Sequence, residues 1–237
     1  MTKERQAVLI TGASRGFGRA LLECYASKQW RTIPLVRDAE CAERFQAELA
    51  NCTPVIGDVT TDDVGSLIRN GLHQIGRLDV LINNAGTSGS AMQIEAVTPT
   101  EVNALIQTHC LGALRCVKAA LPFMKEGKRL IINVTSRLGS TTRQASGDYA
   151  GLSISYSYRI AKAGQNMFTV ALANELNGQG FIVCGVHPGR LKTALAASDA
   201  NTDPADAAER LADWIDGIDT TMNGKCFDLE RFEIMKW

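Results

Sequence analysis

No stretch of this sequence is both long and apolar. The N-terminal segment MTKERQAVLITG carries charges and only a brief apolar run before Gly12. That run is too short for the core of a signal peptide or for a membrane span, so no membrane partner is expected. No Cys-x-x-Cys occurs. The seven cysteines (Cys24, Cys41, Cys52, Cys110, Cys116, Cys184 and Cys226) are odd in number and scattered. They argue against a disulfide framework or a metal site and for reduced, structural thiols in a cytoplasmic protein. Excess charge is missing too: 25 Lys and Arg balance 25 Asp and Glu. No basic field recommends nucleic acid as a partner, and no acidic tail suggests disorder. Linkers, repeats and low-complexity tracts are lacking as well. The chain therefore reads as one domain over residues 1–237, large enough for a substantial core.

What is present is alternation. Short apolar runs at 7–11, 31–36, 53–59, 78–84, 128–136, 181–187 and 225–229 read as buried strands. Between them, helical spacing predicts helices over 17–28, about 38–50, up to about 75, 99–125 as one long rod, 155–177 and 204–216. Pro34 suits an edge or a strand start better than the middle of a sheet. This order gives an α/β fold, a doubly wound parallel sheet of about seven strands with helices on both faces. The stretch 139–155 has no clear period and is a candidate functional loop.

The chemistry-bearing motifs fall at the ends of these strands. TGASRGFG (11–18) joins the first strand to the first helix. Gly12 permits a tight turn, Gly16 lets the backbone approach a pyrophosphate, and Gly18 permits close helix packing. Its bland alternative is a turn without a ligand. After the second strand stands Arg37, with Arg15 in the glycine loop; two guanidinium groups could flank a ribose 2′-phosphate, or both could simply be solvated. The usual NAD-selecting acid is missing, since Asp38 comes one place late. NADP(H) is therefore preferred over NAD(H). Asp58 at the third strand could accept from an adenine amino group or cap a loop. NNAG (83–86) ends the fourth strand, where Asn83 could only tie neighbouring strands. Ser136 ends the fifth. In SYSYRIAKAG (155–164), Tyr158 and Lys162 are four apart and share a helix face. An ammonium there favours the phenolate and lowers the phenol pKa. Tyr156 and Tyr149 have no lysine at that offset.

Taken together, TGASRGFG, Asp58, NNAG, Ser136 with Gly139, Tyr158-x-x-x-Lys162 and HPG (187–189) resemble the short-chain dehydrogenase/reductase family over essentially the whole chain. SYRIAKAGQNMFTVALANEL, HPGRLKT and the terminal Trp237 are similar to its subgroup of small carbonyl reductases that includes the Sniffer and C-factor proteins. The resemblance implies a single-domain Rossmann fold. It implies Tyr158 as proton donor in carbonyl reduction, Lys162 lowering its pKa and holding the nicotinamide ribose, and Ser136 bonding the substrate oxygen. The implied cofactor site begins with Gly12, Ser14, Arg15, Gly16, Phe17 and Gly18. It continues through Arg37, Asp58 and Val59 to Asn84, Ala85 and Gly86, and ends with Pro188, Gly189 and Thr193. One departure stands out: His109 occupies the place where the family carries an asparagine that holds a relay water. His109 either continues that relay or is a core histidine; a protonated imidazole would repel Lys162 and shift the pH optimum. The segments 139–155 and ALAASDANTDPADAAERL after Thr193 are candidate substrate loops. The implied partner is a small carbonyl or alcohol, with a homodimer or homotetramer as the expected assembly. A second reading, a NADP(H)-binding regulatory protein of C-factor type with weak turnover, stays open beside the reductase.

Overall fold

Runs of apolar residues with no polar alternation can be satisfied only by strands covered on both faces. That is what the chain builds. The structure, a computed structural model, describes residues 5–193 and 200–237. β1 (Ala7–Thr11) is buried at every residue, as are β4 (Val80–Asn83), β5 (Leu130–Val134) and β6 (Ile182–His187). With β2 (Arg31–Val36), β3 (Val55–Ile56), β7 (Cys226–Asp228) and β8 (Glu233–Met235) they form one eight-stranded sheet in the order β3-β2-β1-β4-β5-β6-β7-β8. All neighbours are parallel except β7 and β8. The order reverses direction between β1 and β4, which opens a crevice at the carboxyl ends of the strands.

Helices cover both faces. α1 (Gly16–Ser27), α2 (Ala39–Glu48) and α8 (Pro204–Gly217) bury Leu21, Phe45 and Leu211 in one core. α3 (Val64–His73), α5 (Gly112–Ala120) and α7 (Tyr156–Glu175) bury Leu72, Val117 and Leu172 in the other. Each fully buried leucine contributes about 2 kcal/mol through the apolar area it removes from water. Among the described residues, no helix is long and apolar enough to cross a membrane.

The structure corrects four expectations. Pro34 lies in an interior strand, opposite Ile10 of β1. It is tolerated because the ladder beyond it is broken: β3 pairs only Leu35 and Val36, and Thr32 meets Cys52 through an isolated bridge. The third strand is accordingly two residues long, and Asp58 lies beyond its end. The expected rod 99–125 is divided into α4 (Pro99–Ile106), a π turn at Gln107–Leu111, α5, and a 3₁₀ turn at Leu121–Phe123. An eighth strand completes the sheet, so the strand–helix alternation stops at a β7–β8 hairpin with Phe232 at φ +55°.

Candidate active site

The glycine loop tolerates no side chains where its three glycines stand. At Gly12 (φ +66°) a Cβ would lie 2.8 Å from the Ala85 Cα, and at Gly18 it would lie 2.3 Å from the Gly12 carbonyl oxygen. Gly16 (φ +56°) faces Thr193, whose methyl would be 3.3 Å from that Cβ. The loop is tied to the NNAG turn by Thr11, whose hydroxyl accepts from the amides of Asn84 and Ala85 at 3.0 and 2.9 Å. Asn84 Nδ2 donates to the Thr11 and Gly12 carbonyls. Asn83 donates to Asn133 at 2.8 Å and so ties β4 to β5. Unlike α2, α4, α7 and α8, helix α1 begins with neither a side-chain cap nor an acid in its first turn. Its first amides lack side-chain partners and face the crevice under Ser14 and Arg15, both exposed. Bare helix-start amides beside a cradle that a Cβ would fill suit a dinucleotide pyrophosphate. Phe17 turns its ring into the core, so it can offer that group only its backbone.

At the neighbouring edge, Arg37 reaches Asp58 at 3.7 Å, with its own side chain 77% exposed. Asp58 Oδ1 is taken by the Thr60 amide and hydroxyl at 2.9 and 2.8 Å. Partial burial works to raise the Asp58 pKa, but the Thr60 bonds and Arg37 outweigh it and bring it below the usual value. Of the two readings of Asp58, the loop cap is present. Asp38 is also occupied, since it caps α2 by accepting from the Glu40 amide at 3.0 Å. Val59 is buried beneath Gly112, while Pro188 and Gly189 (φ +96°) are buried behind the loop that carries Thr193 towards Gly16. The start of the second candidate substrate loop, 194–199, lies outside the described residues.

The three candidate reacting side chains converge. Ser136 follows β5, buried, and its side chain is near enough to Tyr158 on α7 to favour the charged form of that phenol. The Lys162 ammonium lies 5.8 Å from the centre of the Tyr158 ring. The two other tyrosines near this segment are engaged elsewhere: Tyr156 lies under the Arg159 guanidinium at 4.5 Å, and the Tyr149 hydroxyl donates to the Arg137 carbonyl at 3.1 Å. Gly139 permits the convergence, because a Cβ there would come 2.8 Å from the Lys162 backbone carbon. The expected activation is not built into the chain by itself, however. Burial raises the Tyr158 pKa above its ordinary value, opposed only by the nearby Ser136 side chain. Part of the Tyr158 residue meets solvent, but its surroundings are densely protein. The phenol is thus held protonated, as a proton donor must be. Lys162 does not offset this, because it is itself desolvated. It is 4% exposed, and its pKa is lowered to about 7.

A desolvated amine destabilises the fold in a defined pH window. Below about pH 7 both folded and unfolded forms carry the proton, and the whole cost of burying it is present. As pH rises from about 7 towards the ordinary 10.5, the folded chain sheds the proton first and the cost is relieved. Lys162→Met is therefore expected to raise the melting temperature by about 5 °C at pH 6 and by much less at pH 9, measured by calorimetry. An equal shift at both pH values would contradict a buried charge.

His109 sits in the π turn, a distortion common at functional sites. Its ring is edge-on to Tyr158, centroids 5.6 Å apart, and 2% exposed. Nε2 is 2.9 Å from the Thr87 carbonyl oxygen and 3.3 Å from the Thr87 nitrogen. The shorter contact assigns the proton to Nε2, donating to the carbonyl. Nδ1 is then a lone pair, buried and without a partner among the described residues. Burial first, then the Lys162 charge, lower the His109 pKa to about 3. The imidazole is neutral, so the anticipated repulsion of Lys162 does not arise.

Sequence reasoning missed the residues that hold these groups in place. Asn166 Nδ2 donates to the Gly139 carbonyl at 3.0 Å, and its oxygen accepts from the Thr135 hydroxyl, clamping the serine loop to α7. Gln165 accepts from Lys162 at 2.9 Å. The signal was there: Gln165, Asn166 and Thr169 occupy the buried side of α7 between Ala161 and Leu172. The stretch 139–155 contains the short helix α6 (Thr141–Ala145) and is pinned by the C-terminus, Thr142 donating to the Trp237 carbonyl at 2.8 Å. Beneath it gather His187, Asp228 and Glu230. A cation there would meet Arg190, 3.7 Å from Glu230, and the charges of Arg137 and Arg143 on His187, so the donor set does not suit a metal.

A family model described as short chain dehydrogenase matches residues 6–204. The chain belongs to that family. As a short-chain dehydrogenase it is an oxidoreductase that works with a nicotinamide cofactor on small molecules. It is 32% identical over 160 residues to the C-signal protein of Myxococcus xanthus, covering 67% of this chain and 93% of that one. It is 29% identical over 202 residues to L-fucose dehydrogenase of Rattus norvegicus, covering 84% of this chain and 72% of the relative. Its fold matches the carbonyl reductase Sniffer of D. melanogaster with a TM-score of 0.86 at 26% identity, over 98% of this short-chain dehydrogenase and 100% of that one. The narrower resemblance read from the sequence thus reaches both Sniffer and C-signal.

Proposed function

We propose that this short-chain dehydrogenase is a cytoplasmic, NADPH-dependent reductase of aldehydes or ketones, with residues 1–237 acting as one domain. The observation that carries this reading is the meeting of Ser136, Tyr158 and Lys162 at the mouth of the crevice. A bound nicotinamide supplies the hydride. Ser136 donates to the substrate oxygen and stabilises the charge that develops there. Tyr158, held protonated, gives that oxygen its proton. Lys162 fixes the ribose and steadies the phenolate left behind. Arg37 and Arg15 select the 2′-phosphate. Exposed Ile160 and Met167, two turns apart on α7, support assembly of this face into a homodimer or homotetramer. The test is NADPH consumption by purified protein against aldehydes, ketones and diketones. Folded protein that binds NADPH and reduces none of them would overturn it.

The regulatory reading, supported by the C-signal likeness and by His109, predicts that outcome of binding without turnover. For the reductase, we assign His109 Nδ1 the acceptor role in a proton relay towards Lys162. His109→Asn, which keeps an acceptor, is expected to retain kcat within about threefold; His109→Leu is expected to lower it about tenfold or more. Because a neutral His109 does not titrate there, neither variant should remove an inflection from the pH–rate profile between about pH 5 and 9. Equal rates for both variants would leave His109 as a core residue.

A further inference from the structure

Lys162 is an ammonium in a dry pocket with no counter-ion among the described residues. The titratable groups that face it are Cys110 and His109 from the π turn, Cys226 from β7 and Tyr158 from its own helix. No carboxylate is among them in the described residues. What Lys162 has instead is two neutral oxygens, the Val134 carbonyl at 2.7 Å and Gln165 Oε1 at 2.9 Å. An ammonium has three N–H donors, so one is left for a ligand hydroxyl. Of the two acceptors, only Gln165 is a side chain. It lies three residues on along α7, is 1% exposed, and would be costly to bury there without a strong hydrogen bond. Its own backbone is fixed by Thr169, which donates to the Gln165 carbonyl at 2.8 Å and accepts from Asn133 of β5 at 2.9 Å.

The geometry points to Gln165 as a positioning residue of the reaction: its amide oxygen aims the Lys162 ammonium and sustains its charge. The inference rests on the proposed reductase for its purpose. Its physical content, the Gln165–Lys162 bond, is independent of that reading. An acceptor bonded to an ammonium favours the charged form, and a carboxylate at the same place favours it more.

Two substitutions therefore move Lys162 in opposite directions. Gln165→Met, of similar volume, removes the acceptor and is expected to lower the proton affinity of Lys162 about tenfold, one pH unit. Gln165→Glu is expected to raise it by about as much. The readout is NMR titration of ¹³Cε-labelled lysine in the protein without cofactor, with the Lys162 signal assigned by its loss in Lys162→Met. In turnover, the alkaline limb of kcat/KM should follow, downward for Met and upward for Glu. A merely structural glutamine would change melting temperatures without opposite shifts in this titration. If one variant fails to fold, the other still gives a signed result. An unchanged Lys162 titration in a folded variant would overturn the inference. Shifted titrations in a protein that reduces no carbonyl would instead overturn the reductase reading and leave the Gln165–Lys162 coupling standing.

Discussion

Tyr158→Phe is expected to lower kcat for carbonyl reduction by about 10³-fold while changing the NADPH dissociation constant by less than about threefold. The substitution removes one oxygen and little else. The ring keeps its edge contact with His109 and its place on α7, whose N-terminal cap, the Tyr158 amide on Ser155 Oγ at 3.2 Å, is backbone-borne and survives. General acid catalysis by a positioned group contributes typically 10²- to 10⁴-fold, and no second phenol can take over. The Tyr149 hydroxyl is turned to the Arg137 carbonyl, and Tyr156 is stacked under Arg159. Ser136 remains to polarise the substrate, which sets the residual rate above that of solution. Stopped-flow absorbance of NADPH in wild type and variant decides the matter. Retention of more than a tenth of the wild-type rate would remove Tyr158 from the proton-transfer step.

Much of this site is readable from local sequence, because the constraints that make it are local. The glycine loop needs positive φ and room for backbone at fixed offsets: Gly12 and Gly16 adopt positive φ, and Gly12 and Gly18 leave no room for a Cβ. Tyr158 and Lys162 share a helix face by the geometry of four residues. The choice of Tyr158 over Tyr156 follows from the same spacing, and the structure puts Ser136 beside it. Strand runs were legible because burial on both faces leaves no polar alternation.

What was not legible depends on partners distant in sequence. The π turn at Gln107–Leu111 divides an otherwise regular helical pattern, and it sets His109 against Thr87 and Tyr158. The tolerance for Pro34 depends on how short β3 is. β8 is three residues whose pairing with β7 no periodicity can reveal. The electrostatics of the pair are likewise tertiary: spacing brought Lys162 to Tyr158, but only packing shows that burial raises the phenol pKa and lowers that of the amine. The polar residues on the buried side of α7 could have been noticed, since apolar side chains would otherwise fill a helix face packed on a sheet. Their partners could not.

The second large effect is expected at Arg37. Arg37→Ala should weaken NADPH binding about 10- to 100-fold and leave NADH within about threefold, since one charge-assisted bond to a phosphate is worth about 1.5–3 kcal/mol. Three observations favour that outcome. Asp38, the nearest acid to the ribose-selecting place, is committed to the Glu40 amide. Asp58 is held by Thr60 and is within reach of Arg37, so the guanidinium stands over the crevice edge without being buried by it. Arg15, exposed on the glycine loop, adds a second positive charge on the approach. The Arg37–Asp58 contact is long and its arginine mostly exposed, so a phosphate can compete for the guanidinium at little cost in stability. The preference should also shrink as salt rises from about 0.05 to 0.5 M, because exposed charges are screened over a Debye length. Titration calorimetry of both cofactors with wild type and Arg37→Ala measures all of this. If both cofactors weaken equally, Arg37 acts through Asp58 on the adenosine end common to the two, and the proposed selection of the 2′-phosphate by Arg37 is overturned.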